Sequence, residues 1–450
     1  MTAAVAAGHP ATAEAGAAIL AEGGSAADAA VAASLASCVA ETVMTGFLGG
    51  AHAIYLDAPT ATIRNLDCFC AVPSGAGAPM EHLRVRFGEE LVDYAVGASS
   101  CAVPGLPAGL DELWRAHGRL PWTLLVEPAL RLARDGVAMP PAHVACLQML
   151  EPVMTLREGA RIYRPGGVLL HDGDALQQPG LVNALETIAG EGSRTAYTGT
   201  VAEALLALSD ERGGRVTSAD LASYRGTWSE PVEVRFADRP VLTRSGLSGV
   251  PETLARFDPF GGPGALLAAL EPVPGTGHTT NLATIDGDGS ACVLTSSLGL
   301  GSGDWLPGFD LHLNSMLGEA DLIREPLVPG TRMPSMMAPA IVLGPDGVCD
   351  LAIGSAGGTR LRTALVGVLG AILGEGLEPQ AAVDRPRFHP AGNVLNAEPG
   401  VDEDWLSSLD GWEVRRWGAR HHYFGGVSCV GALGAAADPR RSGAARYASR

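Results

Sequence analysis

The chain has 450 residues, of which 47% are hydrophobic and 18% charged, the composition of a globular protein with a sizeable core. Its net charge of −18 argues against nucleic acid and anionic membrane surfaces as partners. All 31 basic residues are arginines, so no lysine is present to form a Schiff base, anchor pyridoxal phosphate or serve a P-loop.

The start, Met1-Thr2-Ala3-Ala4-Val5, is Ala-rich but lacks the basic region of a secretory leader. Asp28, Glu41 and intervening glycines break up the apolar stretch that follows, and no run is long enough to cross a bilayer. Residues 11–40 read as a helix, a Gly23-Gly24 stop, an N-cap at Ser25 with Asp28 in the first turn, and a second helix. A glycine turn over 46–51 leads into a hairpin of 53–56 and 62–66 around Asp57-Ala58-Pro59. Cys68-Phe69-Cys70, without a histidine cluster, reads as two buried thiols on a strand rather than a metal site. The eight cysteines are scattered rather than framed as disulfides, which predicts a reduced, cytoplasmic protein with no metal or cofactor.

Helices are predicted over 120–136, 198–208 and 218–224. Residues 240–278 are rich in Pro and Gly and read as a linker with one short helix near 264–270. Past it, 279–285 and 291–297 form a β-hairpin around Asp286-Gly287-Asp288-Gly289-Ser290. A strand at 350–353, a glycine-rich turn at 354–359 and a helix over 360–374 follow.

Thr279, at the head of that hairpin, carries the chemistry. A threonine hydroxyl is a poor nucleophile unless a base titrating near neutrality lies beside it. An α-amino group, at about pKa 7.7–8.0, is such a base. Thr279 acquires one only if the chain cuts its own His278–Thr279 bond.

The order of short motifs resembles the γ-glutamyltransferase family of N-terminal-nucleophile (Ntn) hydrolases over nearly the whole chain. His9-Pro10, Gly23 to Ala30, Val103-Pro104-Gly105, Leu120-Pro121-Trp122 and Ala196-Tyr197-Thr198-Gly199 match its first half. Thr279-Thr280, Gly299 to Gly303, Pro329-Gly330-Thr331-Arg332, Gly354 to Gly358 and Pro386 to His389 match its second. Singly these motifs are common; in this order they are specific. The resemblance implies an α+β, αββα four-layer sandwich of two antiparallel sheets between helix layers. It also implies self-cleavage into 1–278 and 279–450, which stay together as a heterodimer with further dimerisation open, and a small-molecule substrate.

Carried onto this chain, the resemblance makes Thr279 the nucleophile of both self-cleavage and catalysis. It makes Ser297 a hydroxyl partner in place of the family's second threonine, and the N–H groups of Gly357 and Gly358 the oxyanion hole. The substrate-binding positions depart from the pattern. Phe69 stands for the arginine that grips the glutamyl α-carboxylate, and Gly299 for an asparagine. Ser315 and Gly318, near Asn314, stand for the glutamine and the amine-holding aspartate. Of a serine pair only Ser335 remains, beside Met336.

Charge-assisted hydrogen bonds of this kind are strong, so a free γ-glutamyl head is expected to bind poorly here unless Glu319 or Arg332 compensates. The stretch before Thr279 is shorter than is typical of the family, which implies a reshaped pocket wall. The reading is therefore an autoprocessing hydrolase of a small metabolite lacking that head. One specific option is C–C bond hydrolysis in 4-alkylproline-type natural-product biosynthesis. The rivals are a conventional γ-glutamyl hydrolase or transpeptidase and a non-catalytic scaffold.

Overall fold

The computed structural model describes residues 1–87, 90–270, 279–323 and 325–448. Two antiparallel sheets stack face to face. The first has seven strands in the order 444–447, 4–7, 280–285, 291–297, 50–57, 62–68 and 227–229. The second has six, in the order 434–437, 426–431, 349–356, 340–343, 239–243 and 232–236. Strands from before and after Thr279 interleave in the first sheet and lie side by side as two blocks in the second.

Period-two alternation explains the stacking. Along strand Thr280–Ile285, Ala283 and Ile285 pack between the sheets with Ile54, Val293, Ile341 and Val430, whereas Leu282 points into the helical layer with Val5 and Leu35. The outer face of the second sheet is covered by helices Val250–Arg256 and Arg360–Leu369 through Val342, Ile353, Leu254 and Leu365. The result is the expected four-layer αββα arrangement.

Helix Ala26–Ala40 is buried along its entire length. Its alanines let helix Pro10–Ala21 and the first sheet approach closely, and a Ser25–Asp28 capping box begins it as predicted. Strand Ala4–Ala7, not foreseen in the Ala-rich start, runs between 280–285 and 444–447.

The short helix expected near 264–270 is Gly262–Ala269, and residues 271–278 lie outside the described residues. The rest of the predicted linker is corrected, since Arg239–Thr243 is a strand of the second sheet and Val250–Arg256 a helix packed on that sheet. Pro251 and Pro263 sit in the first helical turn, where the missing N–H has no intrahelical partner to lose, so they start helices rather than break the chain. The predicted helix over 360–374 is α-helical to Leu369 and continues as a π-helix over Gly370–Gly374.

No helix among the described residues is long and apolar enough to cross a membrane, and none of their His, Cys, Asp and Glu side chains cluster as a metal site. All eight cysteines are buried and free.

Candidate active site

Thr279 lies immediately before strand Thr280–Ile285 and is 6% exposed. Its side chain faces the second sheet, where the Gly357 N–H donates to its Oγ1 at 2.6 Å. Gly357 and Gly358 form the turn from strand Cys349–Ala356 into helix Arg360–Leu369, with φ of 127° and 58°. A Cβ at Gly357 would come within 2.9 Å of the Gly425 Cα, so only glycine admits this approach. The turn thus brings one backbone donor, the Gly357 N–H, to the Thr279 hydroxyl.

Ser297 ends the neighbouring strand and lines the same pocket as Thr279 and Gly358. Its Oγ accepts the Gly299 N–H at 2.8 Å. His278 lies outside the described residues.

The pocket in front of Thr279 is tight, about 30 Å³, and is walled by Phe69, Met316, Met336, Met337 and Leu361 with Ser335, Glu319 and Asp321. Phe69 is held by stacking on His52, with ring centroids 5.5 Å apart, and its N–H donates to Asp67. Among the described residues lining this pocket none is basic. Arg332 lies elsewhere: its guanidinium covers the Tyr224 ring at 4.1 Å, pairs with Asp67 at 3.4 Å and donates to the Arg225 carbonyl. It does not replace the missing carboxylate grip.

The other predicted positions divide. Asn314 is fully buried, and its amide is consumed by backbone. It donates to the Leu48 and Ala102 carbonyls at 2.8 and 2.9 Å and accepts from the Ala102 and Met316 N–H groups. Ser315 Oγ is 2.5 Å from the Tyr94 hydroxyl, which also accepts the Leu300 N–H and reaches Glu319. Ser335 and Met336 line the pocket.

Two glycines explain the departures. A Cβ on Gly299 would lie 2.7 Å from Ser315 Oγ, 2.8 Å from Glu319 Oε1 and 2.9 Å from the Tyr94 hydroxyl. A Cβ on Gly318 would lie 2.0 Å from the Ala95 carbonyl oxygen. Both positions are glycine because strand Glu90–Val96, through Tyr94 and Ala95, together with Glu319 fills the space a side chain would need.

Glu319 is buried, and desolvation, with Asp321 nearby, pushes its carboxyl up to about 8. Tyr94 and Met337 were not singled out from sequence. Tyr94 had no detectable signal, because its strand meets the site only through the three-dimensional fold.

A family described as Gamma-glutamyltranspeptidase matches residues 12–255 and 263–448. Glutathione hydrolase proenzyme 1 of Schizosaccharomyces pombe is 27% identical, over 88% of this chain and 75% of its own. Acylase ACY 1 proenzyme of Pseudomonas sp. (strain V22) is 26% identical, over 89% and 85%. Among solved structures, cephalosporin acylase from Bacillus halodurans superposes with a TM-score of 0.80 at 22% identity, covering 99% of this chain and 95% of that one. LmbA2991HD does so with a TM-score of 0.81 at 22% identity, covering 99% and 98%.

Proposed function

The chain belongs to the gamma-glutamyltranspeptidase family of Ntn hydrolases, and from that premise we propose that it cuts itself before Thr279 and then hydrolyses an acyl compound without a free γ-glutamyl head. In this reading the Thr279 hydroxyl attacks the acyl carbon while its α-amine takes the proton. The N–H groups of Gly357 and Gly358 hold the oxyanion, and the ammonium returns the proton to the leaving group. Water then attacks the acyl-threonine ester and regenerates the hydroxyl.

The observation that carries the substrate reading is the filled space at Gly299 and Gly318. Tyr94 and Glu319 stand against Gly299, and the Ala95 carbonyl leaves no room for an amine-holding side chain at 318. Phe69 and three methionines offer apolar contact in place of a carboxylate grip. Among the described residues lining the pocket no basic side chain meets an anionic head. Desolvating a substrate carboxylate there without a partner is unfavourable by several kcal/mol, on the order of the penalty for any unpaired buried charge.

The relatives named as an acylase and a glutathione hydrolase bracket the alternatives. The test is a panel of 4-nitroanilides on the processed protein: γ-glutamyl, a short alkanoyl and an aminoacyl. A 1,3-dicarbonyl substrate added to the panel reports C–C hydrolysis by the same nucleophile. The γ-glutamyl compound is expected to turn over no faster than with Thr279→Ala; robust turnover of it rejects the reading.

A further inference from the structure

Thr279 has to work twice, and its own base is present only the second time. After cleavage its α-amine accepts the hydroxyl proton; before cleavage that nitrogen is an amide and accepts none. Self-cleavage, the reading on which this inference rests, therefore needs another proton acceptor.

A second cavity, which shares only Thr279 with the substrate pocket, lies behind the nucleophile. Its volume of about 10 Å³ is room for roughly one water. Glu41, Thr280, His143, Asp438 and Arg441 line it together with Thr279. Glu41 caps the C-terminal end of helix Ala26–Ala40 and is 1% exposed. Its Oε1 accepts the Thr12 hydroxyl at 2.7 Å and its Oε2 accepts the hydroxyl of Thr280, the residue next to the nucleophile. Gly8 makes room for this: a Cβ there would lie 2.6 Å from Oε2.

We propose that Glu41 is the proton acceptor of self-cleavage, taking the Thr279 hydroxyl proton through the cavity both residues line. The Thr279 oxygen bonds to the His278 carbonyl carbon as its proton passes to the Glu41 carboxylate. The C–N bond then breaks and the same proton goes to the Thr279 nitrogen, leaving an ester. Water hydrolyses the ester to a His278 carboxylate and the free hydroxyl and amine of Thr279. One water is consumed and Glu41 ends as it began.

The other charged groups around the cavity suit this role less. Burial, with His9 and Arg441 nearby, pushes His143 down to about 3, too weak a base. Asp438 is held below the usual carboxylate range, against its burial, by Arg387 and Arg440. Arg441 carries Nε and Nη2 without hydrogen-bond partners and is positioned to favour an anion. Burial lifts Glu41 to about 7, against hydrogen bonds from Thr280 and Thr12 and the charge of Arg441. It can therefore both take and return a proton near neutrality.

The experiment follows cutting of the full chain after cell-free synthesis, chased from pH 5.5 to 8.5, for the parent and for Glu41→Gln, Glu41→Asp and His143→Phe. The parental rate should rise with pH through about 7 as Glu41 ionises. Glu41→Gln should slow it by roughly 10²-fold and abolish the rise. Glu41→Asp and His143→Phe should keep the rise. If Glu41→Gln does not fold, Glu41→Asp decides: a retained but displaced rise supports the assignment and an unchanged one overturns it. Parental cutting by Glu41→Gln, or loss of the rise in His143→Phe alone, also overturns it. A parent that never cuts rejects self-cleavage itself, a separate failure.

Discussion

Replacing Gly318 by aspartate would put an acid at the position where the family resemblance expects the one that holds the amine, and the structure predicts that it will fail. The new Cβ would start 2.0 Å from the Ala95 carbonyl, where real Cβ atoms stay beyond 3.0 Å. The obstacle is backbone in strand Glu90–Val96, so no rotamer relieves it. The strand must retreat by about an ångström, and Tyr94 moves with it.

Overpacking of this kind is destabilising by about 1–3 kcal/mol. Weakening the Tyr94 bonds to Ser315 and the Leu300 N–H adds about 1–2 kcal/mol. The total is about 2–5 kcal/mol. With an unfolding entropy of about 2.1 cal/mol/K per residue, a chain of this length then loses roughly 2–5 °C in Tm. The assays are differential scanning calorimetry and γ-glutamyl anilide turnover. Parental Tm together with a gain of γ-glutamyl turnover would show that the filled space does not exclude the glutamyl head.

Three further outcomes follow from the same geometry. Gly357→Ala meets Gly425 and displaces the N–H that reaches Thr279, so kcat should fall by about 10²-fold with KM less affected, as steady-state kinetics would show. Asn314→Ala takes the Asn314 partner from four buried backbone groups and should destabilise the protein by about 3–5 kcal/mol in denaturant melts; a change confined to KM would place Asn314 on the substrate instead. Glu319 titrates higher folded than unfolded, so the folded state holds the extra proton between about 4.5 and 8 and stability falls as pH rises through that window. The loss is on the order of a few kcal/mol, and Glu319→Gln should reduce the drop in Tm between pH 5 and 9.

Much of the machinery was legible because local chemistry dictates it. The hairpin around Asp286 to Ser290, the Ser25–Asp28 cap and the Gly357-Gly358 turn each follow from residues adjacent in sequence. What escaped depends on distant packing. Strand Ala4–Ala7 lacks β-branched residues except Val5 and is a strand because two neighbours supply its ladder. Tyr94 lies 221 residues from the Ser315 it touches, and no local pattern announces such a meeting. Glu41 reads as one acid interrupting an apolar run; only the fold sets it under Thr280. Pro251 hid the helix Val250–Arg256 because the same residue that ends a helix also begins one.

The central claim is tested most directly by denaturing electrophoresis with N-terminal sequencing of the purified parent and Thr279→Ala. The 46.1 kDa parent is expected to resolve into two fragments, the smaller beginning Thr279-Thr280-Asn281, while Thr279→Ala stays whole. A parent that remains a single band on incubation, or a cut at another bond that persists in Thr279→Ala, would contradict it.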